Sequence, residues 1–435
     1  MQTAASSDIL EYNTSEIDPT IEQKQKEIND IILSSTFIEW EYTYKPNIPA
    51  SKELIKKENK NDLLKIPENS EDFLRINSKY YFNKKYILGK GGFGKVFYGT
   101  DINRKKDYAI KFQNSLGFNN INKEVEILSI LKNEEGFPEI YCYGNLRDQK
   151  YIVESLLGPS IEKLFIFCDK KFNLGSVVKI GKDMIKRLKQ LHNKNIIHRD
   201  IKPNNFTFGK FHSVIDDDKL NKKHKKTLIK YFNYFENELL YLIDFGLSVY
   251  QNNQGVLHLT NFIGTPRYAC LNSHYNKNQC KRDDLESVFY VIMYLYKGYL
   301  PWENLEIKDK ETKLNKIRYL KEQFDQSDFY INLPPQFQIV YQYIKQLNCN
   351  SVIDYNYIIN CLDVIISINN IERNSFNFLW DWEMKILTNY NNSVILNKNK
   401  SLFNTLFSGY PIVYQKYYNY IRRKYNEIEF NALHI

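Results

Sequence analysis

The fold and chemistry of this chain are decided by one stretch, IIHRDIKPNNF, which covers residues 196–206. In it, a polar turn follows two apolar β-branched residues. Asp200 is able to accept a proton from a hydroxyl, Lys202 to hold the phosphate that the hydroxyl attacks, and Asn205 to ligate a magnesium ion beside it. An ordinary polar turn after a buried strand is the alternative, so the interpretation depends on partners elsewhere in the chain.

The composition indicates a globular chain with real cores. It has 435 residues, of which 43% are hydrophobic, enough for two or three domain-sized units. Its formal charge of +9 permits an acidic partner, although abundant Lys, Asn, Ile and Tyr are also what an AT-rich genome encodes. The sequence has neither a stacking-aromatic motif nor zinc-spaced cysteines, so we expect no direct nucleic-acid partner.

The cysteines and the apolar segments of the sequence indicate in which cellular compartment the protein would be found. Six cysteines lie far apart, with no C-x-x-C pair and no histidine at zinc spacing, which predicts free thiols in a reducing compartment. The first ten residues do not resemble a signal peptide, and the longest apolar run, residues 288–296, is too short to span a bilayer. We therefore expect an intracellular protein without membrane segments, in the cytoplasm, the nucleus or both.

A glycine-rich segment lies upstream of the decisive stretch. Glycines let a backbone come close to phosphates and direct N–H groups at them. A dinucleotide-binding turn would need a helix directly after the third glycine, whereas a β-branched strand pattern, residues 96–100, follows here. This favours a glycine-rich flap over ATP, with contacts expected from Leu88, Gly89, Lys90, Gly91, Gly92, Phe93, Gly94 and Val96.

A lysine interrupts the apolar strand pattern of residues 108–112. Burying Lys111 in a strand is costly unless an acid pairs with it. Apolar residues with helical spacing in the following segment place Glu124 on the inward side of a helix. We expect Glu124 to pair with Lys111 and turn it toward the α and β phosphates, with Ala109 also at the nucleotide. Glu126 is the competing acid but lies on another helix face.

Two later segments complete a nucleotide site. Residues 151–160 indicate a strand that ends in a hinge between two lobes, where adenine would meet the Ser155 carbonyl and the Leu157 N–H. The motif LIDFG, residues 242–246, is an apolar strand that delivers Asp244 into a turn. Asp244 and Asn205 would then supply oxygen ligands for magnesium.

Further motifs, in consistent order and spacing, resemble the casein kinase 1 family of protein kinases. They are LGPSIEKLF at 157–165, GTPRYA at 264–269, KRDDLES at 281–287, LPW at 300–302, DY at 354–355 and WDW at 380–382. The resemblance covers about residues 80–386 and identifies the chain as a divergent member. Vaccinia-related and tau-tubulin kinases are the related alternatives.

The resemblance implies an α+β, two-lobed protein-kinase fold, with a small β-rich N-lobe containing one key helix and a larger, mainly helical C-lobe. It implies transfer of the ATP γ-phosphate, with Mg²⁺, to serine or threonine of acidic or already phosphorylated proteins. Lys202, two residues after Asp200, and Thr265, which is able to bond to that pair, support serine and threonine over tyrosine. Arg267 matches an anion-binding arginine of the family. We expect a monomer.

Four positions depart from the family pattern. Glu154 would lie at the back of the ATP pocket, where the family has a hydrophobic residue, unless the hinge is shifted by one residue. Thr207 stands in place of a pocket-floor leucine, and Phe289 in place of a glycine. Thr260 stands where the family has an activation-loop lysine, which puts phosphate-primed recognition in doubt.

The remaining segments carry less chemistry. We expect an N-terminal extension at 1–79 that is partly linker, an N-lobe at about 80–155, a C-lobe at about 156–386 with an insertion at about 209–239, and a tail at 387–435. Apolar spacing in the tail predicts an amphipathic helix over residues 414–428, which would pack on the kinase body or bind a partner.

An active enzyme and a catalytically weak kinase-fold scaffold are distinguished by whether the catalytic set is complete. A scaffold usually lacks at least one member. All members are present in this chain: Lys111, Glu124, Asp200, Lys202, Asn205 and Asp244.

Overall fold

A computed structural model gives the architecture of nine stretches of the chain. It describes residues 73–77, 79–91, 94–101, 106–113, 121–147, 149–209, 239–251, 261–369 and 380–382. These all belong to one unit, Trp40–Ile435. Most of the N-terminal extension, nearly all of the insertion, and the tail with its expected helix lie outside the described residues, as do Gly92, Phe93 and Thr260.

The N-terminal lobe is built on one antiparallel sheet with the strand order β1-β2-β3-β4-β6-β5. The strands are β1 (Phe73–Ile76), β2 (Tyr80–Gly91), β3 (Gly94–Asp101), β4 (Asp107–Gln113), β5 (Ile140–Leu146) and β6 (Gln149–Ser155). Aromatic and β-branched residues favour these strands because their side chains cover a pleated surface well. Phe82, Phe97 and Phe112 meet on one face of the sheet and form the centre of its apolar cluster.

One helix, α1 (Ile121–Ile130), lies against β5 and β6 of this sheet. Its inward face repeats every three or four residues and consists of Ile121, Glu124, Val125, Ile127 and Leu128. Glu124 is therefore a carboxylate on an otherwise apolar face, as the sequence pattern predicted. It needs a partner in the interior.

The C-terminal lobe is mainly helical. Its helices are α2 (Ile161–Phe167), α3 (Leu174–Asn193), α4 (Leu271–His274), α5 (Lys281–Lys297), α6 (Lys310–Glu322), α7 (Asp328–Ile331), α8 (Pro335–Gln346) and α9 (Tyr355–Ile368). Its strands pair two by two, β7 (Ile196–Ile197) with β10 (Val249–Tyr250) and β8 (Phe206–Phe208) with β9 (Leu240–Leu242). The catalytic stretch runs from β7 into β8, so these two short pairings fix both of its ends.

Helices α3 and α5 form the centre of the C-lobe. The side chain of Asn173 caps α3 by accepting the N–H of Ser176, and α5 ends at Gly298, whose φ of +85° favours glycine. The two helices approach closely at Gly181, where an added Cβ would lie 2.9 Å from Cδ1 of Ile292. A side chain at position 181 would therefore push apart the two helices that support the catalytic stretch.

An aromatic cluster centred on Phe324 fills the space beside α5. Phe324 is fully buried. Its ring contacts those of Phe289, Tyr290, Trp302, Phe329, Tyr330 and Tyr341. Phe289, where the resemblance described above implies a glycine, is only 1% exposed, and its ring centre lies 5.0 Å from that of Tyr341. The departure at position 289 thus adds apolar contacts to the core.

The architecture confirms the predicted α+β fold with a small sheet-based lobe and a larger helical lobe. Among the described residues, every helix is too short or too polar to cross a lipid bilayer.

The expectation that all cysteines are free was wrong for one pair. Cys280, at the start of α5, and Cys349, after α8, form a disulfide, with their Cα atoms 5.4 Å apart. Sequence spacing gives no sign of this pairing because the two cysteines are 69 positions apart, and only tertiary contacts between α5 and α8 bring them together. The cysteines that form no disulfide are Cys142, Cys168, Cys270 and Cys361.

We predict that Phe324→Ala lowers the free energy of unfolding by about 3–5 kcal/mol, because it leaves a cavity where several rings meet. Denaturant unfolding of the purified protein measures this change. Tyr319→Ala, at a ring on α6 that is 53% exposed, is the control and should cost less than about 0.5 kcal/mol. Equal losses in the two variants would contradict a central role for Phe324.

Candidate active site

A buried carboxylate at the start of α5 holds the catalytic stretch. Asp284 Oδ2 accepts the N–H of His198 at 2.8 Å, and Oδ1 accepts that of Arg199 at 3.0 Å. Oδ2 also lies 3.0 Å from Nε2 of His192 on α3. Burial would raise the pKa of Asp284, but the hydrogen bond and charge of His192 outweigh it and hold that pKa below its ordinary value. The ionised carboxylate therefore anchors the backbone just before Asp200.

His198 and Arg199 connect the catalytic stretch to the segment that carries Asp244. His198 Nδ1 accepts the N–H of Asp200 at 3.3 Å, and Nε2 donates to the carbonyl oxygen of Ile243 at 3.1 Å. Burial lowers the pKa of His198, which suits a neutral ring with one donor and one acceptor. Arg199 has a left-handed φ of +67°, and its Nε donates to the carbonyl oxygen of Leu247 at 2.7 Å.

Asp200 lies at the centre of a small polar network and is 3% exposed. Thr265 Oγ1 donates to Asp200 Oδ1 at 2.7 Å, and Lys202 Nζ donates to Oδ2. Asn205 Nδ2 donates to the backbone carbonyl oxygen of Asp200 at 2.9 Å. The structure thus brings together the three predicted residues of the loop and adds the contact from Thr265 that the sequence had suggested.

Lys111 links the two lobes. Its Nζ lies 2.7 Å from Glu124 Oε1 on α1 and 2.7 Å from Asp244 Oδ1 in the C-lobe. Glu124 Oε1 also accepts the N–H of Phe245 at 3.3 Å, so helix α1 contacts the Asp244 segment directly. The predicted Lys111–Glu124 contact therefore forms, and Asp244 is a second partner.

The charges of this cluster stabilise each other. Burial would lower the pKa of Lys111, but the carboxylates of Asp244 and Glu124 outweigh it and hold that pKa well above its ordinary value. Burial would raise the pKa of Asp244, but Lys111 outweighs it and lowers that pKa. The competing acid, Glu126, lies elsewhere on α1, where its Oε1 accepts the hydroxyl of Tyr250 at 2.7 Å.

Asn205 and Asp244 fit the requirements of a magnesium site. The Ile243 N–H donates to the backbone carbonyl oxygen of Asn205 at 2.9 Å, so the two side chains start from adjacent points. The Asn205 amide nitrogen is used within the loop, which leaves its oxygen to act as a ligand. One carboxylate and one amide oxygen are the hard ligands that magnesium prefers. These two residues would hold the ion.

The glycine-rich segment forms the hairpin between β2 and β3, with Gly91 opposite Gly94. A Cβ added at Gly89 would meet nothing within 4 Å, so its backbone faces open space. Gly94 has a φ of +151°, and an added Cβ would lie 1.8 Å from the carbonyl oxygen of Phe112. No other residue fits there. A strand follows the glycines, as predicted for a flap.

The flap is tied to the C-lobe near its first glycine. Lys163 Nζ on α2 donates to the carbonyl oxygen of Leu88 at 3.2 Å. Lys90 is exposed and Val96 half-buried, while Gly92 and Phe93 lie outside the described residues. The contacts expected of this segment with a nucleotide remain predictions.

The hinge follows β6 as the sequence indicated. The Ser155 N–H donates to the carbonyl oxygen of Glu139 at 2.9 Å, and Leu157 is buried in the connection to the C-lobe. Thr207, the expected pocket-floor position, pairs with Tyr241 in the β8–β9 sheet, and its buried hydroxyl has no hydrogen-bond partner among the described residues.

Glu154 has the register that was expected from the sequence, without a one-residue shift. It pairs with Ala109 on β4, and Ile152 pairs with Lys111, so Glu154 and Lys111 share one face of the sheet. Burial and the nearby Glu124 raise the pKa of Glu154 to about 8. The carboxyl group is therefore mostly protonated at neutral pH, which lowers the cost of placing it there.

Arg267, the expected anion site, already has a carboxylate beside it. Its Nε lies 3.0 Å from Glu303 Oε1, and its guanidinium carbon lies 5.4 Å from the ring centre of Tyr294. Burial raises the pKa of Glu303, although Arg267 opposes this. A phosphate at Arg267 would have to compete with Glu303. Thr260, the other expected departure, lies outside the described residues.

Sequence reasoning missed two positioning contacts. Asp284 lies in the KRDDLES motif, whose spacing indicates a family resemblance but no role for this residue. Its role depends on the backbone N–H groups that it faces, which the sequence does not indicate. Lys321 is a buried lysine of α6 that bonds to the backbone after Thr265. Its position four residues after Ile317, which also faces inward, was the available signal.

A comparison with protein families gives a match to the family model described as protein kinase domain, over residues 82–377. The matched stretch is more than half of the chain. It contains the glycine-rich hairpin, Lys111, Glu124, the catalytic stretch and Asp244.

We predict that Glu154→Gln flattens the pH dependence of stability. Since the folded-state pKa of Glu154 is about 8, above its ordinary value of 4.5, the stability tied to its proton is present below pH 4.5 and is lost as pH rises through 8. Unfolding free energies of the wild type should therefore fall from pH 5 to pH 8 relative to those of the variant, as denaturant titrations measure. Parallel profiles would contradict the burial of this carboxyl group.

Proposed function

Because the chain belongs to the protein kinase family, we propose that it is a serine/threonine kinase, which transfers the γ-phosphate of ATP to hydroxyl groups of protein substrates. The observation that carries the proposal is the network around Asp200. Its carboxylate is held by Thr265 on one oxygen and by Lys202 on the other, in a site whose catalytic set is complete.

Each residue has a role that its surroundings support. Asp200 would orient the substrate hydroxyl and accept its proton, since it is the carboxylate at the centre of the loop. Lys202 would hold the phosphoryl group in transit, and Lys111 would hold the α and β phosphates, oriented by Glu124. When bound, ATP supplies the phosphoryl group and magnesium, held by Asn205 and Asp244, offsets its charge.

Serine and threonine are favoured over tyrosine as acceptors by the geometry of the loop. Lys202 and Thr265 both contact Asp200, so the acceptor hydroxyl would be positioned close to the loop backbone. We further propose a casein kinase 1-like specificity, on the strength of the motif set quoted above. A vaccinia-related or tau-tubulin type of kinase is the alternative within the same fold.

Acidic substrates that carry no phosphate are favoured over primed ones by the contact at Arg267. The cation of Arg267 would attract acidic side chains, but the buried Glu303 already neutralises part of its charge. A dianionic phosphate would be repelled by Glu303 more strongly than a single carboxylate. The proposed substrate class is therefore an acidic protein segment.

We predict that the purified protein phosphorylates an acidic protein such as casein on serine or threonine, with ATP and Mg²⁺. Asp200→Asn should lower kcat by about 10²–10⁴-fold through loss of the base, and Lys111→Met by about 10²–10³-fold through loss of charge stabilisation. Radiolabel transfer with phosphoamino-acid analysis measures both. Asp363→Asn, at a half-exposed position on α9, is the control and should keep full activity.

A wild-type protein that binds ATP but transfers nothing to acidic or primed substrates would favour the scaffold interpretation. Phosphotyrosine as the main product would contradict the serine/threonine assignment while leaving the kinase assignment intact.

We predict that Glu303→Gln increases the preference for a phosphorylated peptide. Removing the Glu303 carboxylate frees Arg267 to bind a phosphate. The ratio of kcat/KM for a phosphopeptide to kcat/KM for the same peptide without phosphate should therefore rise by about tenfold, which is the effect of one surface-accessible charge contact. Steady-state kinetics on the peptide pair measure the ratio. Glu306→Gln, at a nearby exposed acid, is the control. An unchanged ratio would show that Glu303 does not limit anion binding at Arg267.

A further inference from the structure

The loop that follows Thr265 is bonded by a buried lysine of α6 that the proposed reaction does not use directly. Lys321, on α6, is 0% exposed. Apart from Lys321, the only fully buried residue of α6 is Ile317, while Leu314 and Leu320 are partly buried. Packing alone does not explain an inward lysine, because an apolar residue would fill the same space without the cost of burying an ammonium group.

The groups that Lys321 Nζ bonds to directly are neutral. Burial lowers the pKa of Lys321 to about 7, although the nearby Glu286 carboxylate opposes this. Its Nζ donates to the carbonyl oxygens of Pro266, at 2.9 Å, and Ala269, at 2.5 Å, and lies 3.3 Å from His274 Nε2. The ring centres of Tyr290 and Trp302 lie 4.9 and 5.1 Å away. Within the described residues, no carboxylate is paired with it, so the bonding capacity of this cation is directed at the loop and the rings.

The same loop, residues 265–269, is held by further hydrogen bonds. Trp302 Nε1 donates to the carbonyl oxygen of Arg267 at 2.7 Å. The N–H groups of Tyr268 and Ala269 donate to the carbonyl oxygen of Thr265 at 2.9 and 2.8 Å. The Thr265 hydroxyl donates to Asp200. The loop therefore runs from the catalytic carboxylate to the Lys321 ammonium, and Lys321 bonds to two of its carbonyl groups.

We propose that Lys321 is a positioning residue for the protein substrate, which sets the loop 265–269 so that Thr265 and Arg267 present the acceptor segment to Asp200. This inference rests on the proposed kinase function and deepens it. Lys321 touches neither of the reacting groups and acts through the loop. A shift of the loop changes where the substrate chain lies, whereas the nucleotide contacts at Lys111 and Asp244 are made by other segments.

The test compares Lys321→Met, which keeps the length of the side chain without its donors, with Lys321→Arg, which restores a cation and donors. We expect Lys321→Met to raise KM for a peptide substrate about tenfold and to lower kcat, the effect of losing charged hydrogen bonds. KM for ATP should stay unchanged, and Lys321→Arg should recover part of the loss. Lys316→Met, at an exposed lysine of the same helix, is the matched control and should behave as the wild type.

A second measurement is independent of activity. Hydrogen exchange of the Tyr268 and Ala269 amides should become about tenfold faster in Lys321→Met, with exchange in α3 and α5 unchanged. If the wild type transfers no phosphate, the proposed function fails, while these amides still decide whether Lys321 holds the loop. If Lys321→Met does not fold, Lys321→Gln, which keeps one donor group, should show an intermediate effect. A Lys321→Met protein whose KM for the peptide equals that of the wild type would overturn the proposal. An equal rise in its KM values for the peptide and for ATP would overturn it as well.

Discussion

The buried carboxylate of Asp284 is the constraint on which the catalytic region depends. Taking a charge out of water costs several kcal/mol unless polar partners replace the water, and here two backbone N–H groups and His192 do so. The catalytic stretch cannot move without leaving this charge unpaired in the core. The position of Asp200 is therefore set by the helix pair α3 and α5, whose close approach at Gly181 fixes the distance between them.

A second wall of the site comes from residues 300–322. Trp302 holds the carbonyl of Arg267, Glu303 lies beside its guanidinium, and Lys321 holds the carbonyls on either side. One continuous segment thus controls the shape and the charge of the loop next to Asp200. The nucleotide side of the cleft is controlled separately, by the sheet and α1. The loop side and the nucleotide side of the cleft are consequently able to change independently.

The sequence predicted the features that depend on local periodicity. The strand after the glycine-rich segment and the inward Glu124 both follow from the residue pattern of one strand or one helix. The register of Glu154 was expected from the family resemblance. Contacts between distant segments were not predictable in this way. The pairing of Glu303 with Arg267 depends on how the segment between α5 and α6 lies against the loop, and the bonds of Lys321 depend on how α6 does. The Cys280–Cys349 bond joins segments whose spacing carries no signal.

The disulfide between Cys280 and Cys349 closes residues 280–349 into a covalent ring. Helices α5, α6, α7 and α8 all lie within that ring, together with the wall formed by residues 300–322. A protease that cuts the backbone once inside it would leave both fragments joined. Nicked protein would then migrate as a single band on a gel without reductant and as two bands with it.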